Sequence, residues 1–142
     1  NLGGLVGSNG GSVADCYARG PVAGGSQIGG LIGQSSDQVS RCYSTGSVIG
    51  LYDVGGLIGS VDAATGSTSN SFWNVESSGA QISAEGIGVD PKQMLDISTF
   101  LDAGWDFVGE TVNGTQDIWV MPDGSYPELT LSLKRGTVGV RG

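Results

Sequence analysis

Gly3–Gly7 reads GGLVG, and Gly29–Gly33 and Gly55–Gly59 both read GGLIG. The phrase steps by 26 residues each time, a period in the range of solenoids and related repeat arrays. The register reaches beyond the phrase: Cys16 and Cys42, Tyr17 and Tyr43, Gly20 and Gly46, Val22 and Val48, and the series Leu2, Ile28, Val54 keep the same spacing. In the third copy the interval from the last glycine to the aromatic position grows from 10 residues (Gly7 to Tyr17, Gly33 to Tyr43) to 13 (Gly59 to Phe72). The added residues fall in DAATGSTS, which has the composition of a surface turn.

One repeat, GSVADCYARGPVAGGSQIGGLIG, holds short β-prone runs at Val13 to Tyr17, Pro21 to Ala23 and Ile28 to Ile32, separated by Gly, Ser, Asn and Asp. No window between Leu2 and Trp73 keeps a helical i, i+3, i+4 stripe. If each repeat is one coil, equivalent strands pair in parallel about 4.8 Å apart and equivalent residues stack in ladders. The expected ladders are Leu5, Leu31, Leu57; Leu2, Ile28, Val54; and Val22, Val48. The chain has 27 glycines, near a fifth of its 142 residues, and because they are periodic they read as bends and close backbone approach rather than as disorder. IGGLIG is apolar on both alternation phases, so either the glycine pair carries a bulge or both faces are covered. The predicted fold is all-β: a parallel, right-handed β-helix-like solenoid of 26-residue coils over residues 1–74, a capping segment over 75–133, and a basic tail over 134–142.

The pattern GGLIG, SRCYSTGSV, VGGLIG resembles the GLUG-motif repeat of large bacterial secreted and surface proteins, which are similar to filamentous-haemagglutinin-like adhesins and also occur beside the catalytic part of an immunoglobulin-cleaving metallopeptidase. The resemblance covers Leu2 to about Trp73. The segments LDAGWDFVGE and IWVMPDGSYPELTL resemble the closing segment that follows such repeats. The resemblance implies a β-solenoid scaffold without catalytic residues, secreted or at the cell surface. In the third copy Ser71 stands where the pattern has cysteine, so that SFW replaces CYS, consistent with a last coil turning to meet a cap.

The C-terminal half has a different grammar. Asp90 before Pro91 reads as a helix start through PKQMLD, Ser98 as the cap of a turn through TFLDA, and Gly104 as its left-handed end. Asn113-Gly114 between two β-prone runs predicts a type I′ hairpin, and PDGS a second turn, giving a three-stranded meander. The expected cap packs Trp73, Phe100, Trp105, Phe107, Trp119 and Tyr126 over the end of the solenoid.

The charge balance of 14 acidic to 6 basic residues, net −8, argues against nucleic acid and anionic membrane surfaces as partners. No apolar run approaches the roughly 18 residues of a membrane span. The chain opens on Asn1 inside a repeat and without an initiator Met, as expected of a mature, processed or excised segment. The absence of histidine excludes His-based triads and His metal sites.

Cys16 and Cys42 read as buried thiols, a disulfide, or metal or nucleophilic groups; stacked Cα atoms near 4.8 Å allow a disulfide, although in-register parallel geometry suits the bond poorly. Asp102 and Asp106 flanking AGW could form a carboxylate pair, against the plainer reading of a helix end and a turn. Asp90, Asp96, Glu110, Asp117 and Asp123 offer oxygen ligands for calcium, but no calcium-loop motif is present, so no cofactor is expected. NGT at Asn113 matches a glycosylation sequon that its turn role already explains. Tyr17 and Tyr43 could stack sugar rings, as a carbohydrate-binding module or stalk of a larger secreted enzyme would, or pack inside.

The ends of the chain give the remaining expectation. Leu2 and Leu5 lie on the outer strand edge of the first coil, and the tail KRGTVGVRG supplies Lys134, Arg135 and Arg141 with alternating Val138 and Val140. The tail is expected to add as a strand to a neighbouring acidic body or open coil, giving head-to-tail self-assembly, unless upstream repeats of the same chain cover that edge.

Overall fold

A computed structural model describes residues 1–62 and 64–130. The chain divides into two compact units, Asn1–Pro91 and a second that starts at Lys92.

The first unit is a stack of coils. Coil one carries β1 (Leu2–Gly3), β2 (Val6–Asn9), β3 (Val13–Ala14), β4 (Tyr17–Ala18) and β5 (Val22–Ala23). Coil two repeats them as β6 (Ser26–Gly29), β7 (Ile32–Ser35), β8 (Gln38–Ser40), β9 (Tyr43–Ser44) and β10 (Val48–Ile49). Coil three supplies β11 (Tyr52–Gly55), β12 (Ile58–Val61), β13 (Ser67–Ser69) and β14 (Phe72–Asn74), followed by α1 (Val75–Ser78) and β15 (Ile87–Val89). Equivalent strands pair in parallel and in register: Leu2 with Ile28 and Val54 with Ile28, Val22 with Val48, Tyr17 with Tyr43 and Phe72 with Tyr43. Each sequence repeat is therefore one turn of a parallel β-solenoid.

Side chains that stack also bury one another. Leu31, Ile32, Val39, Cys42, Leu57, Ile58 and Trp73 form the main core, and Val22, Ile28 and Val48 a second one. Each fully buried Leu or Ile contributes roughly 1.5 to 3 kcal/mol, so the interior of coil two, whose neighbours lie on both sides, holds the stack together.

The glycine phrase has a specific physical cause. Its middle makes a bulged corner: the Leu31 carbonyl accepts the N–H groups of both Leu5 and Val6 (2.9 and 3.1 Å), and the Leu57 carbonyl those of both Leu31 and Ile32 (2.9 and 3.1 Å). In coil two both alternation phases of IGGLIG are buried, so both faces are covered, and the bulge falls on Leu31 and Ile32 rather than on the glycine pair. A Cβ on Gly29 or Gly55 would overlap the carbonyl oxygen of Ile32 or Ile58 at that corner. A Cβ on Gly33 would lie 2.6 Å from the Gly7 carbonyl oxygen, and one on Gly59 2.6 Å from that of Gly33, so the last glycine is demanded by the coil next door.

Within the three coils the left-handed bends fall elsewhere than the sequence suggested. Asp15, Arg41 and Asn70 have φ of 53°, 50° and 49°, and Gln27 and Asp53 have 54° and 52°. These are equivalent positions in successive coils. Stacking holds each coil in the conformation of its neighbour, and Asp and Asn tolerate the left-handed region better than most side chains.

The ladder continues past Asn74, because β15 pairs with β14 in parallel, Phe72 opposite Ile87 and Val89 opposite Asn74. Asn74 caps α1, accepting from the N–H groups of Glu76 and Ser77, and Gly79 ends it at φ 71°.

The second unit has its own aromatic core. After α2 (Pro91–Met94), in which Pro91 takes the first helical position as expected, comes α3 (Ile97–Leu101). Its N-cap is Asp96, whose side chain accepts from the Ser98 N–H; Ser98 is inside the helix, which corrects the expected cap by two residues. Gly104 adopts the left-handed conformation at φ 85°. Phe100, Trp105, Phe107 and Trp119 are buried together, with ring centroids 4.8 Å apart for Phe100 and Trp105 and 4.6 Å for Trp105 and Trp119. Trp73 is not among them; it lies in the core of the first unit.

The three-stranded meander reduces to one antiparallel pair among the described residues, β16 (Trp119–Val120) with β17 (Glu128–Leu129). Asn113-Gly114 makes no hairpin, because Phe107 and Trp119 bridge in parallel. Side chains consume the backbone groups a hairpin would pair: Asn113 donates to the Leu101 and Trp105 carbonyls, and Asp106 accepts from the N–H groups of Gln116 and Asp117.

Candidate functional site

The two faces of the coil stack differ. Coil one pairs on one side only among the described residues, since β1, β2, β3, β4 and β5 meet partners solely in coil two. Its Leu2 and Leu5 are 46% and 47% exposed, whereas their ladder mates Ile28 and Leu31 are fully buried. The surface that coil two hides is thus presented openly by coil one.

At the other face the edge is partly closed: among the described residues β11, β12 and β13 end their sheets, but the corner between β11 and β12 finds partners, and β14 pairs onward with β15. Leu57 and Ile58 present the same paired N–H groups that Leu31 and Ile32 present one coil earlier, and the Ser83 hydroxyl accepts both, at 3.2 and 2.8 Å. Ser83 stands 26 residues after Leu57, so a side-chain oxygen occupies the place where the ladder would set a backbone carbonyl. The Ile82 carbonyl accepts from Gly56 and the Ala84 N–H donates to Ile58, extending this partial fourth coil. The sequence signal was present in the spacing, but Leu had become Ser and the glycine phrase had dissolved.

Between these faces runs a ladder of small sulfur and oxygen groups. Cys16 and Cys42 donate to the carbonyls two residues before them, Ala14 at 3.1 Å and Ser40 at 3.2 Å. Ser71 does the same to Ser69 at 2.9 Å and accepts the Cys42 N–H at 3.1 Å, so serine keeps the geometry of the cysteine it replaces. Both cysteines are free thiols, Cys16 half-buried and Cys42 buried. The hydrogen bond between the two thiols draws Cys16 down to about 7 from an ordinary 9.0, outweighing burial and the Asp15 carboxylate, which act in the opposite direction. The same contact, reinforced by burial, pushes Cys42 far up. Arg41, beside this ladder, pairs with Asp15 of the coil below at 2.9 Å.

The aromatic rung is built for packing. Tyr17 and Tyr43 stack at 5.1 Å with planes 4° apart, and Phe72 follows in register. Arg19 lies over both rings and donates from Nε and Nη2 to the Tyr43 hydroxyl at 3.1 and 2.8 Å. Tyr43 is fully buried and Phe72 is 5% exposed, whereas Tyr17, on coil one, is half-buried.

The remaining candidates separate. Asp102 ends α3, while Asp106 is buried and spends its oxygens on the Gln116 and Asp117 N–H groups. The Asn113 side-chain nitrogen, the atom a glycan would need, is committed to the Leu101 and Trp105 carbonyls. Among the described residues no three His, Cys, Asp or Glu side chains group to hold a metal ion. Lys134, Arg135, Val138, Val140 and Arg141 lie outside the described residues.

A stack of coils paired in parallel and in register defines a β-solenoid repeat module. The GLUG motif matches residues 1–22 and 24–49, so the N-terminal half of the chain carries GLUG motif repeats. Coil three, with its longer turn and its serine, lies beyond the matched residues. No curated protein and no solved structure matches the chain.

Proposed function

We propose that this GLUG repeat module is a noncatalytic structural and adhesion element of a secreted or surface protein, and that its open face binds a strand or coil of its own kind. The observation that carries this reading is the asymmetry of the stack: half-exposed Leu2 and Leu5 on coil one, against paired N–H groups already answered by Ser83 on coil three. An exposed strand edge is a template for strand addition, and here the added strand would bury two leucines as well. Because Ser83 already answers the Leu57 and Ile58 corner of coil three, we take the donor in a head-to-tail assembly from outside the coils. The tail with Val138 and Val140, preceded by Lys134 and Arg135, has the alternation and the charge to meet an acidic neighbour. The resemblance of the repeats to those of secreted and surface proteins supports the location.

Light scattering after size exclusion, with electron microscopy of the same fractions, tests the assembly. The expected result is concentration-dependent association of the full chain, lost both in Leu5→Lys and in a chain truncated after Leu133. Monomers at every concentration in all three would overturn self-assembly.

A further inference from the structure

We propose that Cys16 and Cys42 form a reversible disulfide that staples coil one to coil two. The two residues hold the same place in successive coils, immediately before the register pair Tyr17 and Tyr43. The Tyr43 N–H donates to the Cys16 carbonyl at 3.1 Å, which fixes the two backbones at ladder spacing, about 4.8 Å and within the Cα separation that a disulfide spans. Both Sγ atoms lie against the carbonyl two residues before them, at 3.1 and 3.2 Å, so the two side chains point the same way, and the Cys42 Sγ also reaches the Val13 carbonyl of coil one at 3.9 Å. Each follows a residue in the left-handed conformation, Asp15 and Arg41, so the pair sits at a corner of the coil. In coil three the position is Ser71, so the bond can form at one rung only.

The chemistry needs an external oxidant, and a small-molecule disulfide such as oxidised glutathione suffices. Cys16 is half-buried and reachable, whereas Cys42 is not. The Cys16 thiolate attacks one sulfur of the reagent, forming a mixed disulfide and expelling one thiolate, which takes up a proton. Cys42, losing its proton to solvent as it attacks, then displaces the second glutathione from Cys16. One protein disulfide and two small thiols result, with two electrons passed from the cysteine pair to the reagent. Coil one has a coil neighbour on one side only among the described residues, and the bond ties it to that neighbour.

The test compares folded and unfolded protein. The native chain and the chain in guanidinium chloride are equilibrated in glutathione redox buffers, quenched with acid, alkylated and mapped by mass spectrometry. Preorganised thiols should give an effective concentration at least tenfold higher in the folded chain, with Cys16 and Cys42 linked within one molecule. Cys42→Ser should stop at the Cys16 mixed disulfide. An effective concentration in the folded chain equal to or below that in guanidinium chloride, or linkage between molecules, would overturn the proposal.

Discussion

Replacing Gly33 by Ala should separate coil one from coil two. Its φ lies outside the left-handed region, so alanine meets no backbone strain; the penalty is steric and comes from atoms that cannot rotate away. The new Cβ would sit 2.6 Å from the Gly7 carbonyl oxygen, 2.7 Å from that of Gln27 and 2.7 Å from the Leu2 nitrogen. Ordinary contact begins at 3.4 Å, so the coils must part by about 0.8 Å (3.4 − 2.6). That shift takes the Leu5 and Val6 hydrogen bonds to the Leu31 carbonyl from 2.9 and 3.1 Å to about 3.7 and 3.9 Å, beyond useful range. At about 1 kcal/mol for each bond lost, plus loosened packing around Leu31, the expected destabilisation is about 2 to 4 kcal/mol. Gly25→Ala is the control: nothing lies within 4 Å of its new Cβ, and a stiffer unfolded chain should make it neutral or stabilising by about 0.4 to 1 kcal/mol. Urea titration followed by circular dichroism measures both. Equal midpoints for the two variants would refute close coil approach as the reason for the glycine.

Ser83→Ala removes the hydroxyl that answers the Leu57 and Ile58 N–H groups and should cost about 1 to 3 kcal/mol in the same titration, with Ser83→Thr closer to wild type. At the exposed corner residue Asp53, with φ of 52°, Asp53→Gly should be neutral or stabilising and Asp53→Val should cost about 1 to 2 kcal/mol; thermal melts separate them. Asp15→Asn keeps the corner and loses the partly exposed pair with Arg41, so its effect should stay within about 1 kcal/mol and shrink in high salt. Alkylation of Cys16 by iodoacetamide in the native chain should rise with pH through about 7 and level off, rather than climb through 9.0 as an ordinary thiol does. Cys42 and Asp15 are the groups that set this titration, so Cys42→Ser should move it upward; a rise through 9.0 in the native chain would contradict the thiol contact.

What the sequence made legible was whatever the 26-residue period carries. Leu2, Ile28 and Val54 stack as expected, as do Val22 and Val48, because parallel in-register pairing maps equal positions onto each other. The same logic failed where the residue type changed but the backbone role did not. Ser83 continues the Leu5, Leu31, Leu57 series, yet nothing in its polarity announces that an oxygen replaces a carbonyl. Within the three coils glycine was a misleading guide to the bends: the left-handed corners there are Asp15, Arg41, Asn70, Gln27 and Asp53, and the phrase glycines serve contact between backbones, whereas Gly79 and Gly104, after α1 and α3, do adopt the left-handed conformation. In the second unit, local turn chemistry at Asn113-Gly114 lost to side-chain capping by Asn113 and Asp106, a tertiary effect that no dipeptide records.

The central claim, that each 26-residue repeat is one coil stacked in register on the next, is tested most directly by nitroxide labels at Ala23 and Ile49. These residues are exposed register partners on β5 and β10, with backbones about 5 Å apart. The predicted result is strong dipolar broadening in the doubly labelled chain and sharp spectra in each single label. A double-label spectrum equal to the sum of the two singles would contradict the stack.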